Sequence, residues 1–111
     1  MRIDTQNHGA VTVLKPQGAL HEEEADEFLL KFTEVSTKSH GRVVIDIAAI
    51  PFTDSRGLEV LLQASEQLEQ TGQTLRMCGQ NETLREIFEL TEMAHRFDHY
   101  ADATSAARSF R

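Results

Sequence analysis

Asp54-Ser55-Arg56-Gly57 sets a hydroxyl between a carboxylate and a guanidinium, where an apolar strand gives way to an amphipathic helix. Upstream runs Arg42-Val43-Val44-Ile45-Asp46-Ile47-Ala48-Ala49-Ile50, rich in β-branched residues. Downstream, Leu58, Leu61, Leu62 and Leu68 are spaced as one face of a helix. A serine at such a junction lies near a helix N-terminus, where unpaired N–H groups and the macrodipole favour negative charge. A phosphate on Ser55 would be stabilised in part by the backbone itself. A plainer use is also open, because Asp54 or Ser55 is a good helix cap. Taken alone, the junction favours the cap.

Other residues with chemical capacity are scattered. Cys78 is the one cysteine in the chain, so no internal disulfide can form and a reducing compartment fits. It lies in Thr74-Leu75-Arg76-Met77-Cys78, which reads as a strand, so a buried structural thiol is expected rather than a nucleophile. His95 and His99 stand four apart, as two metal ligands on a helix would. Their segment reads as a strand on which both share a face, and no cysteine or third histidine lies beside them in sequence. Surface residues and no metal are the expectation. Nothing around Ser55 resembles a nucleophile elbow, and no glycine-rich phosphate loop is present. Neither an enzyme nor a bound cofactor is indicated. A receiver domain would want an acidic pair after its first strand and a late lysine, whereas Lys15, Lys31 and Lys38 are all early.

The elements that must position Ser55 alternate along the chain. Ile3 to Thr5 and Val11 to Leu14 read as short strands joined near Asn7-His8-Gly9, and Lys15-Pro16-Gln17-Gly18 breaks the pattern. From Glu22 to about Thr37, Ala25, Phe28, Leu29, Phe32 and Val35 recur on one helical face, opposite the glutamates. Gly41 precedes a strand from Val43 to Ile47, and Pro51 closes its region. The helix after the Asp54-Ser55 junction runs to about Gln70, where Thr71-Gly72 stops it, with Gln67 opposite its leucines. Leu75 to Cys78 is the next strand. Thr83-Leu84-Arg85-Glu86 matches a capping box, with Asn81 as a competing cap, for a helix carrying Leu84, Ile87, Phe88 and Met93 inward. Arg96 to Tyr100 alternates like an edge strand, and Asp102 caps a short final helix ending near Phe110.

This order predicts an α/β fold over residues 1–111 as a single domain, with a mixed, mostly parallel sheet of about four to five strands and helices packed against it. In open α/β sheets the functional loops follow the carboxyl ends of strands. Ile50 to Gly57 is such a loop, and so is the turn from Leu14 to Glu22.

Composition narrows the partners. A net charge of −7 argues against nucleic acid or an anionic membrane, which are themselves polyanions. The acids gather in Glu22-Glu23-Glu24 and around Glu66 and Glu69, as solvated helix faces do. The N-terminus lacks the apolar core of a signal peptide, and no segment has the apolar length to span a bilayer. A cytoplasmic protein without membrane insertion is the expectation.

Val43-Val44-Ile45-Asp46-Ile47 followed by Pro51-Phe52-Thr53-Asp54-Ser55-Arg56-Gly57-Leu58 resembles the signature of STAS domains, the anti-sigma-factor antagonist family. The resemblance continues through Thr71-Gly72-Gln73-Thr74-Leu75 and Leu84-Arg85-Glu86-Ile87-Phe88-Glu89-Leu90-Thr91, and Gly18-Ala19-Leu20 matches the glycine-containing turn before the first helix. It implies a bacterial partner-switching regulator of transcription, a signal-transduction module rather than an enzyme. Ser55 is then the phospho-acceptor of a partner serine kinase, which is also the anti-sigma factor, and a metal-dependent serine phosphatase restores it. Asp54, Ser55, Arg56, Gly57, Leu58 and His21 form the partner-binding surface on that resemblance. The alternative is a STAS scaffold subunit of a transport or stress-signalling complex, without phosphorylation.

Three positions depart from the family pattern. Arg56 stands where a small residue is common; it can pair with a phosphate on Ser55, meet an acidic partner, or point into water, the default for an exposed arginine. His21 stands where antagonists often carry an aspartate, and Thr91-Glu92-Met93 replaces threonine-glycine-leucine at a helix end.

Overall fold

An antiparallel hairpin starts the sheet, and three parallel strands extend it. The computed structural model describes residues 1–110. Strand β1 (Arg2–His8) pairs antiparallel with β2 (Val11–Gln17); β3 (Val43–Asp46), β4 (Leu75–Cys78) and β5 (Phe97–Tyr100) follow in parallel, in spatial order β1-β2-β3-β4-β5. Helices α1 (Glu22–Lys38), α2 (Ser55–Glu69) and α3 (Glu82–Leu90) connect the parallel strands, and α4 (Ala103–Arg108) ends the chain. The mixed α/β architecture is the one expected, with five strands and four α-helices among the described residues.

The parallel centre explains the composition of β3. Val43, Val44 and Ile45 are fully buried because both faces of that strand are covered. On one face, Ala25, Phe28, Phe32 and Val35 of α1, Val60, Leu61, Ala64 and Leu68 of α2, and Leu84 and Phe88 of α3 share a core with Leu14, Ile45 and Met77. On the other, Ala106 and Ala107 of α4 pack with Val11, Val13, Val44 and Cys78. Small alanines let this short helix lie close to the sheet.

Several boundaries depart from the sequence expectation. β2 runs through Pro16, which pairs with Ile3 of β1. Its ladder to β3 ends at Leu14, so the proline sits where β2 has a neighbour on one side only. The hairpin turns at Gly9, whose φ of 64° suits glycine, so both strands are longer than expected. Asn81 caps α3, its side chain accepting from Leu84 N at 2.8 Å, and not Thr83. Its amide also donates to Ile50 O at 2.8 Å, an attachment to the β3–α2 loop that a capping-box threonine does not offer. Leu62 is only half-buried, so the inward stripe of α2 is Val60, Leu61, Ala64 and Leu68. Gln67 faces α1, donating to Thr33 Oγ1 at 2.9 Å.

At the sheet's margin, β1 has one free edge and exposes Arg2, Thr5, Gln6 and Asn7. At the other end of the chain, His95 lies in a 3-10 turn (Ala94–Arg96) and His99 on β5, so the two do not share one strand face. The His99 ring packs against Phe88 and Phe97. Among the described residues no helix is long and apolar enough to cross a membrane.

Candidate functional site: the β3–α2 junction

The loop from Ile50 to Asp54 is stitched to the loop after β2. Leu20 N donates to Phe52 O at 3.1 Å, and Leu20 O receives Thr53 Oγ1 at 2.8 Å and Asp54 N at 3.4 Å. Leu20 and Thr53 form an isolated parallel bridge, and both are buried. The two loops selected by the carboxyl-end rule are thus one rigid unit.

Asp54 is the N-cap of α2. Its Oδ1 accepts from Gly57 N at 2.8 Å and its Oδ2 from Glu22 N at 3.2 Å, so one carboxylate serves the starts of two helices. The bond from Gly57, with a smaller contribution from Glu22, holds the Asp54 carboxyl below the usual aspartate range. Glu22 itself sits at φ 50°, outside the ordinary range for a side-chain-bearing residue. The cap and the exposed serine therefore coexist: Asp54 caps, which leaves Ser55 exposed at the first position of α2.

Gly57 is helical and fully surrounded. A Cβ there would lie 1.9 Å from Thr53 Oγ1 and 2.2 Å from Leu20 O. Close approach of α2 to the stitched loops requires the glycine, not an unusual backbone angle. Leu58 follows with its side chain partly buried against the main core.

Arg56 does not simply point into water. Its Nε donates to Asp26 Oδ1 of α1 at 2.8 Å, its Nη2 bonds the same carboxylate, and its Nη1 donates to Glu59 at 2.7 Å. These carboxylates raise its already high pKa further. The sequence hid this pair because Asp26 is thirty residues away. His21 precedes α1 without capping it through its side chain. Its Nε2 lies 3.6 Å from Glu24, and its ring meets Phe52 edge-on at 5.7 Å.

Phe52 is the residue that sequence reasoning missed. It is 46% exposed, a large aromatic on a loop fixed at both ends, beside the site and against His21. Its place between Pro51 and Thr53 was the available signal, since a phenylalanine just past a strand has no obvious core to enter. All six expected residues, Asp54, Ser55, Arg56, Gly57, Leu58 and His21, are on or next to this unit, but Gly57 is buried and Leu58 faces partly inward. The exposed surface is built by Phe52, Ser55, His21 and the Arg56 ion pairs.

The STAS domain family model matches residues 2–106, and the chain belongs to that family. A relative named as a candidate anti-sigma factor antagonist, BtrV of Bordetella bronchiseptica, is 27% identical over 95 residues, covering 86% of this chain and 82% of its own length. Two solved structures share the fold. One, a candidate anti-sigma factor antagonist from Thermotoga maritima, has a TM-score of 0.87 at 18% identity, covering 96% of this chain and 92% of that one. The other is the Bacillus cell fate determinant SpoIIAA in its phosphorylated form, with a TM-score of 0.71 at 14% identity and coverage of 97% and 99%.

Proposed function

We propose that this chain is an anti-sigma-factor antagonist of the partner-switching kind, a cytoplasmic, non-catalytic binding module controlled by phosphorylation of Ser55. The observation that carries it is an exposed hydroxyl at the first residue of α2, on a loop unit fixed by Leu20, Thr53 and Asp54. BtrV, related over most of both chains, bears a name of that class, and SpoIIAA shows that a protein of this fold exists in a phosphorylated form.

In the modification, Ser55 Oγ attacks the γ-phosphorus of ATP held by the partner kinase. A phosphorus–oxygen bond forms, the bond to ADP breaks, and the hydroxyl proton passes to a base of the kinase. The product carries about −1.5 to −2 charge near pH 7. Phe52 and His21 offer the kinase an apolar contact beside the hydroxyl, and a bulky dianion next to it must be desolvated on docking. Affinity falls at the interface while the helix N-terminus accepts the charge without refolding. A metal-dependent serine phosphatase resets the protein.

The test supplies a serine kinase of the anti-sigma type from the same organism, with ATP. Mass spectrometry is expected to place one phosphate, on Ser55, and the phosphoprotein to bind the kinase more weakly than the unmodified one. Ser55→Ala stays folded, keeps binding and is never inactivated. Phosphate elsewhere, or equal affinity of both forms, overturns the proposal in favour of a constitutive STAS scaffold.

A further inference from the structure

Arg56 follows Ser55 directly, and consecutive side chains on a helix diverge. Glu59 changes the geometry. It stands four residues after Ser55, on the same helical stripe, and Arg56 Nη1 reaches it at 2.7 Å. One arm of the guanidinium therefore reaches the stripe that begins with Ser55. Its Nε and Nη2 bond Asp26 of α1. Asp26 and Glu59 are exposed and Arg56 is half-buried, so water still competes with these pairs and each is weakly held.

Resting on the phosphorylation of Ser55 proposed above, we propose that Arg56 is the intramolecular receptor of that phosphate, handed over to it from Asp26 and Glu59. A phosphoserine presents three strong acceptor oxygens and more than one charge, against the single charge of each carboxylate. A guanidinium engages such an oxyanion through two parallel N–H bonds. Repulsion between the phosphate and Glu59, one turn apart, also weakens the hold of Glu59 on the arginine. Among the described residues, the other basic side chain of the site, His21, is turned to Glu24 and Phe52. The Asp54 carboxylate stays on Gly57 and Glu22.

Two consequences follow from the transfer. The ion pair joining α1 to α2 opens, and Asp26 becomes a bare carboxylate among Glu22, Glu23 and Glu27 on the exposed start of α1. The kinase then meets an altered α1 surface as well as a phosphate. The phosphatase, in turn, must displace a guanidinium before it reaches phosphorus, so Arg56→Gln should be dephosphorylated faster.

The decisive experiment uses full-length protein with phosphoserine installed at position 55 during translation, so that no kinase is needed. In the unmodified protein, Asp26→Asn is expected to move the Arg56 Nε–Hε resonance; in the phosphoprotein the same substitution should leave it in place. The phosphorus-31 titration midpoint of the phosphoserine should rise by at least about half a pH unit in Arg56→Gln, roughly a threefold change in proton affinity. Arg56→Lys should restore part of that midpoint. An equal Asp26→Asn shift in both forms, or a midpoint indifferent to Arg56→Gln, overturns the hand-over. Neither result touches the proposed function, which falls if the kinase places phosphate elsewhere or if both forms bind the partner equally.

Discussion

The Asp54 carboxylate holds the first free amide of α1: its Oδ2 receives Glu22 N at 3.2 Å while Oδ1 caps α2 through Gly57 N at 2.8 Å. Residues thirty-two apart in sequence thus share one anion at the base of the proposed docking surface. The starts of both helices thus depend in part on a single charge, beside the Leu20 bonds that stitch the two loops.

That dependence predicts an acid response. The folded-state pKa of Asp54 is lowered by its backbone donors. Its stabilisation is therefore complete above the unfolded value, about 3.9, and is lost as pH falls through the lower folded value. Asp54→Asn is expected to lower the Tm at pH 7 and to flatten the decline as the pH falls below about 4. Circular dichroism melts of both proteins across that window check it; parallel declines would remove Asp54 from the acid transition.

Gly57→Ala should destabilise the fold. Its Cβ would meet Thr53 Oγ1 and the Leu20 carbonyl, and the latter is backbone that cannot rotate away. Overpacking of this kind costs about 1–3 kcal/mol, and the backbone clash places it at or above the upper end. Urea denaturation measures the loss. A midpoint equal to the parent's would mean that α2 can slide outward freely.

Phe52→Ala should separate binding from folding. Almost half its surface is in water, so the Tm is expected to move little. Affinity for the kinase partner should fall by about 2 kcal/mol or more, as truncation of a central aromatic anchor does. Calorimetric titration of the pair, beside a melt, reads both quantities. A normal affinity would put the partner surface elsewhere.

Cys78 should be inert in the native protein. Burial in β4, with Asp46 and Asp102 adding to the effect, pushes its thiol up to about 12. Iodoacetamide at pH 8 is expected to leave intact protein unlabelled and to label it fully in denaturant, as intact mass would show. Rapid labelling of the native form would mean that the α4 face opens.

Much of the architecture was legible because local rules set it. β-branched Val43 to Ile47, the helical stripe of Phe28, Phe32 and Val35, and the caps Asp54 and Asp102 act within a turn or a few residues. What escaped depends on tertiary neighbours. Pro16 continues β2 because β3 has already withdrawn. Asn81 prevails over Thr83 because Ile50 O is waiting for its amide. At the site, Ser55 and Asp54 were identifiable from order alone, whereas the Arg56–Asp26 pair and the exposure of Phe52 arise only when α1 and the β3 loop meet.

The margin of the sheet carries its own consequence. β1 leaves seven residues of backbone open on one side, enough to recruit a foreign strand or a twin of itself. Arg2, Asp4, Gln6 and Asn7 line that margin, so an incoming strand must strip water from charges and amides without an apolar reward. On the proposed function, a molecule that exchanges one companion for another has to be unattractive everywhere else. Here the quiet flank is as much a part of signalling fidelity as the surface that is meant to be touched.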